Sequence, residues 1–387
     1  MNTATLIGLA LITAILASTS ADAARSPWDM AQLRQPPKYE VASRDGNLVS
    51  LYYEGEPRKG KPTRVFAYVA YPEKLSGRMP AVVLVHGGAG WAFPGWAKTW
   101  ADRGYVALAM DHFGNGPDGK PLPDGGPDIG NAFSEPDVKE AWPYHAVADV
   151  VRAVSLLASM PEVDPKRIGI TGVSWGGYLT CIAVGLDDRL KAAVPVYGCG
   201  FLHEGSIWQE ILQQMGPKLR AQWIESFEPS RYVGQARMPM LFLNSTNDTC
   251  YWFGSYQKTY GLVRNHTLCI KPDMTHGQDQ GASPVEIGLF MDQWLRGGKP
   301  LPKPGRTHIK GNDVEMDFAS PVPLAGAVLN YTTDTGDWKD RKWITVPAKI
   351  EGAKIYAQLP HARPIAWFVN VTDGRGATVG SEIRQRN

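Results

Sequence analysis

Three widely separated side chains, Ser174, Asp248 and His276, are of the types that together turn a hydroxyl into a nucleophile. A serine hydroxyl is weak at neutral pH and needs a base within hydrogen-bond reach; an imidazole serves, and a carboxylate orients it and stabilises its cation. Each of the three falls just past a short apolar run. Ser174 follows Ile168-Gly-Ile170-Thr-Gly-Val173, Asp248 follows Met240-Leu-Phe-Leu-Asn244, and His276 follows Thr267-Leu-Cys-Ile270. Asn247 adjoins the acid, but an amide cannot stabilise an imidazolium as a carboxylate does. Asp273 and Asp279 are the competing acids. Among the other histidines, His145 lies inside a helical pattern and reads as structural, His203 could touch a substrate, and His308 lies outside the core that carries the triad.

The setting of Ser174 supports this chemistry. Gly172-Val-Ser174-Trp-Gly176 is a G-x-S-x-G turn with strand periodicity before it and the helical pattern of Tyr178-Leu-Thr-Cys-Ile-Ala-Val184 after it, a nucleophile elbow. The plainer reading is a turn serine capping a helix. An acyl-transfer site also needs donors for the oxyanion. The Trp175 amide is one, and Gly88 in His86-Gly-Gly-Ala-Gly90 supplies the other, with Ala89 as the neighbouring alternative.

The elements that must carry these residues alternate. Pro80-Ala-Val-Val-Leu-Val85, Tyr105-Val-Ala-Leu-Ala-Met110 and Ala192-Ala-Val-Pro-Val-Tyr197 are continuous apolar runs, as in strands buried on both faces, and helical patterns lie between such runs. Two alternating segments, beginning at Tyr39 and Thr63, precede them. The expected fold class is α/β, an α/β-hydrolase sheet, mostly parallel, with helices on both faces. Residues 201–235 break the rhythm and read as a cap insertion. From Pro300 the helical periods vanish. Leu301-Pro-Lys-Pro-Gly305 reads as a linker, and residues 300–387 as that linker plus a small C-terminal all-β sandwich-like domain in which Asp340 and Arg341 are solvated turn residues.

Lys and Arg number 40 against 38 Asp and Glu, so no charge excess points to nucleic acid or an anionic membrane. The apolar run from Leu6 to Ala17, followed by Ala21-Asp-Ala23, reads as a cleavable signal over residues 1–23, with residues 24–299 as the catalytic unit. The expectation is an exported, periplasmic or secreted protein with no stable membrane anchor. Of the four cysteines, Cys181 and Cys269 read as buried thiols, while Cys199 and Cys250 could form a bridge. No spacing suggests a metal, and no cofactor is expected.

With these motifs in view, the chain resembles bacterial secreted α/β-hydrolases grouped with acetylxylan esterases and the dienelactone hydrolase/prolyl oligopeptidase branch. The resemblance rests on Val85-His-Gly-Gly-Ala-Gly90, Gly-Val-Ser174-Trp-Gly-Gly-Tyr-Leu-Thr, Thr246-Asn-Asp248, Thr275-His276-Gly and Tyr331-Thr-Thr-Asp-Thr-Gly-Asp-Trp338. It implies the same triad and an ester hydrolase that deacetylates a plant or algal carbohydrate. Dienelactone hydrolases carry cysteine where this chain has Ser174, and no stretch before the first motif is long enough for the oligopeptidase propeller. A serine exopeptidase or oligopeptidase is the alternative activity, and an inactive hydrolase-fold binding protein the third reading. Trp91, Phe93, Trp142, His203, Trp208 and Trp252, with Trp96 beside them, are the expected lining of a pocket for a carbohydrate or small-molecule ester.

Overall fold

The computed structural model describes residues 26–361 and 364–385; the expected signal segment lies outside them. Nine strands build the hydrolase part of the sheet: β1 (Tyr39–Asp45), β2 (Leu48–Glu54), β3 (Arg64–Ala70), β4 (Met79–Val85), β5 (Val106–Met110), β6 (Val163–Val173), β7 (Leu190–Val196), β8 (Met240–Ser245) and β9 (His266–Lys271). Their spatial order is β1-β2-β3-β5-β4-β6-β7-β8-β9. The first three pairings, through β3–β5, are antiparallel and those from β5 to β9 are parallel. β4, β5 and β7 are almost wholly buried, which is why they read as unbroken apolar runs.

The helices are α1 (Met30–Leu33), α2 (Pro94–Asp102), α3 (Trp142–Ser159), α4 (Trp175–Leu186), α5 (Gln209–Gln214), α6 (Pro217–Phe227), α7 (Phe253–Gly261), α8 (Gln278–Ala282) and α9 (Val285–Leu295). α3 and α4 pack on each other and on β6, so they share a face. α2 and α9 share the other, where Arg103 just beyond α2 pairs with Asp292 of α9 at 2.6 Å. None of the helices among the described residues is long and apolar enough to cross a membrane.

The chain order places the site. From β4 the connection through α2 returns to β5 on one side, whereas from β6 the connection through α4 runs to β7 on the other. Ligands bind outside the carboxyl ends of strands at such a reversal. The glycine-rich loop after β4 and the turn after β6 therefore flank the crevice. Residues 201–235, expected as a cap, hold α5 and α6 with buried Trp223 and Phe227. The buried Glu228 carboxylate pins their start, accepting from the amides of Phe201 and Leu202 at 2.5 and 3.2 Å.

The C-terminal region differs from a domain on a free linker. Its strands are β10 (Lys303–Lys310), β11 (Asp313–Ala319), β12 (Leu324–Thr332), β13 (Ile344–Pro347), β14 (Lys349–Glu351), β15 (Lys354–Gln358), β16 (Ala366–Asp373), β17 (Thr378–Gly380) and β18 (Arg384–Gln385). β17, β16, β12 and β13 extend the hydrolase sheet, joined where β17 pairs antiparallel with β9 at Gly380 and Leu268. β10, β11, β15 and β14 form a second sheet facing it across a small core of Val314, Met316, Ile355, Leu329, Trp367, Val369 and Val371. The expected linker is tied down, since Leu301 is buried in the main core and Lys303 already begins β10. Strand edges that would otherwise be exposed pair here with the hydrolase sheet, a physical reason for the fusion. The four cysteines are all free thiols, so the Cys199–Cys250 bridge is absent.

Candidate active site

At the end of β6 the backbone turns through Ser174, whose φ of 58° and ψ of −115° lie in a region that a side-chain-bearing residue occupies only under constraint. Close approach of three segments enforces this. A Cβ on Gly172 would stand 2.1 Å from the Gly176 carbonyl oxygen, and one on Gly176 would stand 2.0 Å from that of Val85. Glycine at both positions is thus a requirement of β4 and α4 meeting at the turn. Ser174 occupies the N-cap position of α4, but its side chain makes no capping bond. It points instead at His276.

The Ser174 Oγ–His276 Nε2 distance is 2.9 Å and the His276 Nδ1–Asp248 Oδ2 distance is 2.6 Å. An ionised carboxylate only accepts, so Nδ1–H donates to Asp248 and leaves Nε2 to accept from the serine hydroxyl. Asp248 is 2% exposed, and its other oxygen accepts from the Cys250 and Tyr251 amides at 2.9 and 2.6 Å. The imidazole is held between rings: Tyr197 stacks on it at 4.3 Å and Tyr251 lies parallel at 6.2 Å. Burial, then the Asp248 charge, pushes the Tyr197 hydroxyl up, so it stays protonated and donates to the Thr275 carbonyl at 2.9 Å. The competing acids Asp273 and Asp279 are exposed, and among the described residues neither is hydrogen-bonded to the imidazole.

The loop after β4 reaches the same place. A Cβ on Gly87 would meet that of Ser174 at 3.1 Å, and one on Gly88 would meet the Trp175 ring at 3.1 Å. The Gly87 amide is occupied, donating to Gln278 Oε1 at 3.0 Å. The Gly88 amide has no hydrogen-bond partner among the described residues. Trp175 opens α4, where an amide has no intrahelical acceptor. His86 braces the loop, its Nδ1 2.8 Å from the Gly87 carbonyl and its ring stacked on His112 at 3.9 Å. Burial, then the neighbouring His86, holds His112 well below the usual histidine range, so this pair is not doubly charged.

The expected pocket residues separate. Trp208 packs on Trp175 at 4.4 Å and on Tyr251 at 4.9 Å, next to the turn that holds Ser174. Trp91 is 41% exposed with Phe93 at 5.0 Å from it, and His203 sits by Glu228 and Glu204 at 3.5 and 3.6 Å. Trp252 borders a cleft of about 290 Å³ with residues of the β12–β13 connection, Trp338 and Arg341 among them. Trp142 is a correction: it is fully buried, its indole N–H donates to the His112 carbonyl at 2.7 Å, and it belongs to the core. Trp96 is core as well. Tyr197, Tyr251 and Gln278 are the neighbours that sequence reasoning missed, and Asn247 was weighed only as a substitute for the acid. Tyr197 and Tyr251 follow strand ends, but nothing local marks them as flanking the imidazole. Asp248, Cys250 and His276 also place one potential metal-ligand atom each within 4.8 Å of one another. The 2.6 Å Asp248–His276 contact is a hydrogen bond; two metal bonds of about 2.0–2.2 Å in tetrahedral geometry would hold those atoms farther apart.

Residues 34–207 match the family model of acetyl xylan esterase (AXE1). In structure, acetyl xylan esterase 1 from a Thermoanaerobacterium species superposes with a TM-score of 0.55 over 70% of this chain and 93% of its own, at 18% identity. The chain has the α/β-hydrolase fold. An acetyl xylan esterase from a Paenibacillus species shows the same fold, with a TM-score of 0.53 at 21% identity over 64% of this chain and 87% of its own. By sequence, the chain is 30% identical over 142 residues to an acetyl esterase of Xylanibacter ruminicola, spanning 34% of this chain and 31% of that one. It is 27% identical over 210 residues to dipeptidyl-peptidase 5 of Aspergillus fumigatus, spanning 49% of this chain and 27% of the peptidase. The matched stretch is thus about a third or less of either relative's length.

Proposed function

We propose that this α/β-hydrolase is a serine carboxylic-ester hydrolase that removes acyl groups, acetyl foremost, from a carbohydrate. The observation that carries the reading is the hydrogen-bonded line from Ser174 Oγ through His276 to Asp248, at 2.9 and 2.6 Å. Ser174 Oγ attacks the ester carbonyl while His276 Nε2 takes its proton, and Asp248 stabilises the imidazolium. The oxyanion is met by the Gly88 and Trp175 amides. The alcohol leaves with the proton from His276, and water, deprotonated by the same base, releases the acyl group. The acetyl xylan esterase match over residues 34–207 supports an ester over an amide substrate and a sugar as the alcohol. Export through the N-terminal segment fits a polymeric substrate outside the cell.

A peptidase is the second reading, favoured by the dipeptidyl-peptidase relative. A panel of acetylated xylan and pectin, nitrophenyl esters of rising chain length and aminoacyl anilides, run on wild type and Ser174→Ala, separates the two. The ester reading requires cleavage of the acetyl esters by wild type alone. Cleavage of anilides without esters reverses the ranking, and turnover by neither would favour an idle binding fold.

A further inference from the structure

Beside the triad acid stands a residue with three side-chain hydrogen bonds and no catalytic task. Asn247 Nδ2 donates to two backbone carbonyls, Lys339 O at 3.2 Å and Arg341 O at 2.7 Å, while its Oδ1 accepts from Thr246 Oγ1 at 2.5 Å. Its backbone N–H donates to Ser245 Oγ at 3.1 Å. Lys339 and Arg341 belong to the connection between β12 and β13, more than ninety positions along the chain. An amide suits this place because it donates twice and accepts once; aspartate, its isostere, would turn an oxygen toward the two carbonyls.

The connection has a defined shape. Arg341 Nε donates to the Gly336 carbonyl at 2.8 Å and its guanidinium lies 3.9 Å over the Trp338 ring. Trp338 packs on Phe253 of α7 at 5.1 Å, and Trp343 packs on Phe368 of β16 at 5.4 Å. Lys342 N–H donates to Asp334 at 2.8 Å. Arg341, expected as a solvated turn residue, is therefore part of a wedge seated against both the C-terminal strands and the start of α7. Phe253 lies five residues past Asp248, so the wedge grips the acid loop at both ends.

We infer that Asn247 is a positioning residue through which the C-terminal β region holds Asp248, and with it His276, in register with Ser174. The inference rests on the triad reading above. It gives the C-terminal strands a role in turnover without placing them in contact with the reacting atoms. A shift of about 1 Å at the acid loop is enough to cost up to ~10²-fold in rate.

The test uses the full chain, nitrophenyl acetate as substrate, and the variants Asn247→Ala, Asn247→Asp, Arg341→Ala and the Asn247→Ala/Arg341→Ala double, with Ser174→Ala alongside. Both Asn247 variants are expected to lose kcat by about tenfold or more with KM within about twofold and little change in Tm. Arg341→Ala is expected to lose less, and the double variant no more than Asn247→Ala alone, because both act along one path. Unchanged kcat in the Asn247 variants, or additive losses in the double, overturns the inference. Should the Asn247 variants fail to fold, unchanged kcat in Arg341→Ala, whose side chain shapes the wedge through Gly336 and Trp338, overturns it equally. Inactive Ser174→Ala with active Asn247 variants sinks the inference alone, whereas active Ser174→Ala sinks the triad reading first.

Discussion

Gly176→Ala puts one carbon where three segments meet. The added Cβ would stand 2.0 Å from the Val85 carbonyl oxygen and 2.7 Å from that of His86, both backbone, where ordinary contact begins at 3.4 Å. No side-chain rotation relieves this, so α4 and the end of β4 must part by about 1.4 Å. Overpacking on that scale costs about 1–3 kcal/mol, and more where only backbone can yield. The same movement carries the Trp175 amide away from the Gly88 amide and tilts Ser174 relative to His276, and about 1 Å of misplacement costs ~10² in rate. Gly176→Ala is therefore expected to lose about two orders of magnitude in kcat/KM for an acetyl ester, with a Tm lower by several degrees. Gly95→Ala is the matched control: it lies in α2 with nothing within 4 Å of the new carbon. That change is expected to be neutral or to stabilise by up to about 1 kcal/mol, since alanine suits a helix better than glycine. Kinetics and thermal melts on the pair decide the matter. Gly176→Ala with wild-type Tm and turnover, or Gly95→Ala equally damaging, would refute the close-approach argument.

Asp248→Asn keeps the shape but presents an amide either to His276 Nδ1–H or to the Cys250 and Tyr251 amides; a fall in kcat of about 10⁴ is expected, and a loss under tenfold would contradict the orienting role. Gln278→Ala releases the Gly87 amide and should lower kcat about tenfold, whereas Gln278→Glu keeps the acceptor but adds negative charge beside the oxyanion; full turnover in Gln278→Glu would show that this side chain lies outside the reacting field. His145 is buried in α3, and burial pushes it down to about 4. The unfolded chain binds that proton below about pH 6.5, so stability is full above that pH and falls by roughly 3 kcal/mol as the pH drops toward 4. His145→Leu should accordingly flatten the fall of Tm between pH 6.5 and 4, and an unaltered slope would sink the assignment.

What could be read from the sequence was whatever local chemistry dictates. Parallel strands buried on both faces leave unbroken apolar runs, so β4, β5 and β7 were legible, and the short apolar runs of β6, β8 and β9 pointed to the loops after them, where Ser174, Asp248 and His276 are now seen together. The elbow glycines were legible because backbone meets backbone there. What was not legible depends on non-local packing. Trp142 carries the same side chain as Trp208 and both pack on Trp175, yet Trp142 is fully buried under His112 whereas Trp208 stays partly exposed. β2 escaped notice because it is apolar on both faces without strict alternation. The joining of β17 to β9 is a single-register contact between strands distant in sequence, and Asn247 reaches its carbonyl partners across a similar distance. No spacing rule reports such contacts.

The central claim is that Ser174 carries the acyl group between two half-reactions. Acid quenching of the full-length protein during turnover of an acetyl ester, followed by peptide mass spectrometry, reads this directly. The account predicts one acetyl group on the peptide containing Ser174, accumulating within the first turnover and absent from Ser174→Ala. Turnover with no acyl adduct in a quench that traps the first cycle, or an adduct on any other residue, would contradict it.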